Sequence, residues 1–144
     1  MSGGDMRSLL FLTVVLVIHA SPARSEESEA ERLVHREGRA LFDEGHDAYK
    51  AGDYKAALRK FQQSRIRYAS LRLPDDIEKC DRAIRAAACM DRIDEKNLNQ
   101  LKELIGEQTD KPPRSNDPYV GACLPFPDLS KRVKANIAVL EGQR

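Results

Sequence analysis

The sequence predicts an all-α fold of antiparallel helical hairpins. Three observations carry this. Apolar residues recur at three-and-four spacing along most of the chain, and no stretch alternates with a period of two. Turn and stop signals, Gly52-Asp53 and Pro74, punctuate the helical runs at short intervals. A proline-rich segment at 107–127 then precedes one last helical stripe, expected to act as a C-terminal capping helix.

In chain order, the first feature is an export signal. Leu9 to Ile18 reads LLFLTVVLVI, broken only by Thr13. Spanning a bilayer takes about 20 apolar residues, so this run fits the core of a signal peptide instead. Arg7 precedes it and small residues follow it, which predicts a signal peptide over 1–23 with cleavage after Ala23 or after Ser25. An uncleaved anchor is the competing reading. After cleavage no segment is apolar enough to span a membrane. The expected location is therefore a periplasm or the secreted fraction.

The first helix is expected from Glu26 to Gly52, within a helical domain over 26–106. Ala30, Leu33, Val34, Leu41, Phe42, Gly45, Ala48 and Tyr49 form its stripe, with a gap at Glu37-Gly38. Ser25 or Ser28 caps its start, and Gly52 suits the left-handed residue after its end. A second helix, capped by Asp53, carries Tyr54, Ala57, Leu58, Phe61, Ser64, Tyr68 and Leu71 on one line up to the stop at Pro74. The short connection makes the pair an antiparallel hairpin. A third helix begins at Pro74, with Asp75 and Glu78 in capping-box spacing and a stripe of Ile77, Cys80, Ile84, Ala87 and Ala88. The line fails at Asp94–Asn97 and resumes at Leu98, Leu101, Leu104 and Ile105, which predicts a break and a fourth helix; one bent helix is the alternative. The segment 107–127 holds Pro112, Pro113, Pro118, Pro125 and Pro127. It reads as an extended loop pinned by Tyr119, Val120, Leu124 and Phe126. Asp128 is expected to cap a final helix over 128–144, with Leu129, Val133, Ile137 and Leu140 facing inward.

Composition narrows the function classes. The 144 residues carry 24 Lys+Arg against 23 Asp+Glu, a net charge of +1, which argues against a polybasic nucleic-acid binder and against an acidic tail. Aromatics are 6% with no Trp, so a base-stacking platform is poorly supplied. The chain has no GxSxG, glycine-rich phosphate loop or HExxH, and no nucleophile stands out. His35 and His46 share a helix face but stand roughly 16 Å apart, too far to share a metal. Asp43, His46 and Asp47 lie within one turn, a weak ligand set that surfaces commonly show. No cofactor and no catalytic residue is expected.

The segment ALFDEGHDAYKAGDYKAALRKFQQS, Ala40 to Ser64, resembles a tetratricopeptide repeat. Leu41, Gly45, Tyr54, Ala57 and Phe61 match the repeat's residue types and spacing. Glu44, Ala48 and Ser64 depart from them. A degenerate second repeat at Asp75 to Ile105 would lack the turn glycine and the paired small residues. The resemblance implies a concave surface lined by the first helix of each repeat, holding a peptide. Carried over by position, that groove consists of Arg39, Phe42, His46, Tyr49 and Lys50. The clamp some members use for a terminal carboxylate is not matched, because Phe42, Asp43 and His46 stand in its place. The competing reading puts Phe42 and Tyr49 in an ordinary core.

The exported chain keeps Cys80, Cys89 and Cys123, and an oxidising compartment favours one disulfide and one free thiol. Cys80 and Cys89 are separated on one straight helix by about 13 Å and face opposite ways. Cys123 is then the partner of one of them. A fourth helix returning to the start of the third favours Cys80–Cys123, with Cys89–Cys123 the alternative. Helix two is basic, with Lys55, Arg59, Lys60, Arg65, Arg67 and Arg72, while the first helix is acidic. Mutual attraction of neighbours is the favoured reading, and an anionic partner along helix two the other.

These readings converge on an exported, non-catalytic interaction module with a protein or peptide partner, itself able to form a homodimer. The alternatives are a self-associating structural protein of the envelope and, behind it, a metal-dependent enzyme subunit built on His46, Asp43 and Asp47.

Overall fold

The computed structural model describes residues 27–107 and 116–143. The signal peptide, its cleavage positions, the Ser25 cap and the Pro112-Pro113 pair lie outside these residues. The described residues form five helices and no strand: α1 (Glu29–Lys50), α2 (Tyr54–Ser70), α3 (Pro74–Arg92), α4 (Leu98–Leu104) and α5 (Pro127–Gly142). The all-α fold of helical hairpins is as expected. α1 packs on α2, α2 on α3, and α4 on α5, while α3 and α4 touch lightly.

Ser28 caps α1. Its hydroxyl accepts from the Glu31 N–H, and the Glu31 carboxylate accepts from the Ser28 N–H, a complete capping box. Gly52, at φ +80°, ends the helix in the left-handed region. Asp53 then caps α2 through the Ala56 N–H at 2.9 Å. The α1–α2 seam depends on two glycines. A Cβ on Gly45 would stand 2.7 Å from Phe61 Cδ1, so the ring occupies the space a side chain would need. A Cβ on Gly38 would meet Tyr68 Cε1 at 3.1 Å. The apparent gap at Glu37-Gly38 is thus a second close approach. There the buried Ser64 hydroxyl donates to the Gly38 carbonyl at 2.7 Å. The Cys80 thiol in turn contacts Ser64 Oγ at 3.5 Å, so a buried polar chain ties α3 to α2 to α1.

α2 ends where its apolar line ends, at about Leu71, but the device that stops it is not Pro74. The helix closes at Ser70, before Pro74, because Arg72 takes φ 56°, and the Arg72 and Leu73 N–H groups bond to the Ala69 and Tyr68 carbonyls. The Asp75–Glu78 capping box does not form. Leu73 is the N-cap of α3, no side chain caps it, and Pro74 opens the helix.

The break at Asp94–Asn97 is real. Asn97 caps α4 through the N–H groups of Asn99 and Gln100. α4 has only seven residues, about 10 Å of helix, and so ends beside the last turns of α3. The loop after it is not extended. Successive turns over 117–126 dock onto α4, with the Gly121 and Cys123 N–H groups donating to the Glu103 and Leu104 carbonyls at 2.8 and 2.9 Å. The Glu103 carbonyl also accepts from the Gly106 N–H at 3.0 Å, so the loop adds to the turn that closes α4. Ala122 and Cys123 are its buried residues, whereas Val120 and Leu124, expected to pin it, are 39% and 57% exposed. Phe126 is the N-cap of α5, and Asp128 lies inside the first turn rather than before it. Val133 and Ile137 are buried as expected, and the Asn136 amide donates to the Ile93 carbonyl at the end of α3.

The disulfide joins Cys89 to Cys123, with Cα atoms 5.1 Å apart, and corrects the favoured Cys80–Cys123 pairing. The reason is the brevity of α4, which carries the loop to the end of α3 and not back to its start. Cys80 is a free thiol, 0% exposed, under α2.

Candidate functional site

An open groove of ≈ 710 Å³ lies between α1 and α3. Phe42 and His46 line it from α1. The α3 wall is one helical face, running through Asp75, Glu78 and Lys79, then Arg82 and Ala83, to Ala86. Phe126, just before α5, closes the far side. Ala83 and Ala86 are small, and their short side chains leave the room that Phe42 and Phe126 bound.

The α1 wall is held by rings. Phe42 and His46 both pack on the buried Phe61, at centroid distances of 5.3 and 5.7 Å, and on each other at 5.1 Å. The rim of α3 is charged but internally paired. Lys79 Nζ lies 3.1 Å from Asp76, and Arg82 lies 3.7 Å from Glu78, both along the helix. Exposed pairs of this kind are worth about 0–1 kcal/mol, so either side chain can turn to a ligand.

Of the five residues assigned to the groove from the sequence, two line it. Arg39 is exposed, near enough to Tyr68 to favour its phenolate. Tyr49 packs against Tyr54, with centroids 5.2 Å apart, and against the core. Burial, then the neighbouring Tyr54, push the Tyr49 phenol above its ordinary value. Lys50 is exposed in the last turn of α1. The α3 face and Phe126 were not read from the sequence as groove residues. The signal was the pair Ala83 and Ala86, which flank the buried α3 stripe without belonging to it.

Among the described residues no three of His, Cys, Asp and Glu gather to hold a metal ion. On α2, Lys60 pairs with Glu44, Arg67 with Glu37 and Arg65 with Asp81, so three of its five cations face acids on α1 and α3. The Arg65–Asp81 hydrogen bond holds that guanidinium above its usual range. No described helix is long and apolar enough to cross a membrane. The chain matches no protein-family model, and no curated protein or solved structure matches it either.

Proposed function

We propose that the protein is an exported, non-catalytic interaction module whose α1–α3 groove holds a short segment of a partner protein. The observation that carries this is the groove itself: an apolar floor of Phe42, Ala83, Ala86 and Phe126 beneath a rim bearing both signs of charge. That surface suits an apolar side chain flanked by charged residues, with acids meeting Lys79 and Arg82 and bases meeting Asp75 and Glu78. The tetratricopeptide-like sequence of α1 and α2 supports the reading, as does the lining of one groove by α1 and α3 with α2 packed on both. The leader at 1–23 supports export to a periplasm or beyond. N-terminal sequencing of the exported protein is expected to begin at Arg24 or Glu26.

The decisive test is cross-linking in the native compartment with mass spectrometry. It compares the wild type with Ala86→Glu, which puts bulk and charge on the groove floor at a half-buried position. One recurrent foreign partner, lost in Ala86→Glu at unchanged helicity and melting temperature, is the expected result. Self-cross-links alone, unchanged in the variant, would favour the self-associating structural reading instead.

A further inference from the structure

We propose that closing the Cys89–Cys123 disulfide is what seats Phe126 as the far wall of the groove, so that the groove is complete only in the oxidised chain. The proposal rests on the groove reading above, but its test does not require a partner.

The groove draws its walls from two parts of the molecule. Phe42 and the α3 face belong to the packed unit α1–α3, while Phe126 belongs to the loop and the α4–α5 hairpin. The disulfide bridges these parts close to the groove. Cys89 lies one helical turn beyond Ala86 on α3. Cys123 is joined to Phe126 by a tight turn, whose Phe126 N–H donates to the Cys123 carbonyl at 3.0 Å. One covalent bond therefore fixes Phe126 within a turn's reach of the α3 wall.

The polar ties between the two parts sit farther along α3. Tyr119 donates to Asp91 at 2.9 Å, the Arg92 guanidinium lies 3.4 Å over the Tyr119 ring and pairs with Glu103, Arg132 pairs with Asp94, and Asn136 donates to the Ile93 carbonyl. Nearer Phe126 the two parts share apolar contacts, with Ala122, Leu129 and Val133 in one core with Ile84, Ala87 and Ala88, and the disulfide is the covalent tie there. The α1 wall is independent of the loop, because Phe42 and His46 rest on Phe61. Loss of the bond is thus expected to release Phe126 while Phe42 stays in place.

The chemistry is ordinary thiol–disulfide exchange. The Cys89 and Cys123 thiols give up two protons and two electrons to an acceptor disulfide, which leaves as a dithiol. Both cysteines are then 0% exposed, so the closed bond resists reduction and the step works once, on arrival in an oxidising compartment.

The test is ¹⁹F NMR of the full chain labelled with 4-fluorophenylalanine, each resonance assigned by a Phe→Leu substitution. The oxidised protein is compared with Cys89→Ser/Cys123→Ser and with wild type reduced by dithiothreitol. The expected result is a Phe126 resonance that moves to the solvent-exposed position and gains an H₂O/D₂O isotope shift in both reduced forms, while Phe42 and Phe61 keep their native shifts. An unmoved Phe126 resonance would overturn the proposal. So would joint collapse of all three, which would make the bond a global staple and not a groove device. Failure to capture a partner with the oxidised protein would count against the function and leave this result standing.

Discussion

Cys80, Ser64 and Gly38 show how three small residues connect three helices. Ser64 is the one buried polar residue among those described, and it is satisfied on both sides, by the Gly38 carbonyl and by Cys80. Burial raises the Cys80 thiol above its ordinary 9.0, with the Ser64 hydrogen bond working the other way. The sign of the linkage follows. The unfolded chain loses the Cys80 proton first, so the stability this thiol contributes is complete below 9.0 and is lost as pH rises through the higher folded value. Tyr68 and Tyr119, held above 10.0 chiefly by burial, add the same sign at higher pH. Stability to urea should therefore fall as pH rises above about 9, at no more than about 1.4 kcal/mol per pH unit for one proton. In Cys80→Ala the fall should be shallower. Equal slopes in the two proteins would remove Cys80 from the account.

At the scale of the element, the α1–α2 hairpin is the best-specified part of the chain. Its glycines admit the rings of Phe61 and Tyr68, and its caps at Ser28, Gly52 and Asp53 are the ones the sequence announces. Gly45→Ala sets two effects against each other. The new methyl gains about 1 kcal/mol in helix propensity, but overpacking a buried seam costs about 1–3 kcal/mol. Because the nearest atoms belong to a fully buried ring and not to a flexible chain end, the clash wins. Net destabilisation of about 1–2 kcal/mol is expected in chemical denaturation. The control is Gly142→Ala, where a Cβ meets nothing within 4 Å and stability should hold within about 0.5 kcal/mol. The ends of α2 and α3 were less legible. Arg72 in the left-handed region carries no side-chain signal, since glycine or asparagine usually marks that position.

For the whole molecule, periodicity shows which residues face inward but not which faces meet. The stripes of α2, α3 and α5 could be read directly, and Ala57, Phe61, Cys80, Ala87, Val133 and Ile137 are buried as those stripes require. The groove was half legible. Phe42, His46, Ala83 and Ala86 sit on helices whose order is fixed by short turns, whereas Phe126 meets them only through the path of the chain after Arg92. That path turns on the direction in which α4 leaves α3, which the apolar pattern leaves open even though its stripe ends at Ile105, the residue that caps the helix. The disulfide assignment failed at the same place. A returning helix would have met Cys80, while a seven-residue one meets Cys89.

The neighbour-on-neighbour packing of α1, α2 and α3 also sets a schedule. Contacts between adjacent hairpin helices are local in sequence and form early, whereas the bond from Cys89 spans 34 positions and waits for the rest of the chain. In the folded chain Cys80 lies sealed beneath α2 against Ser64, so the hairpin packing itself leaves Cys89 as the thiol that Cys123 can reach.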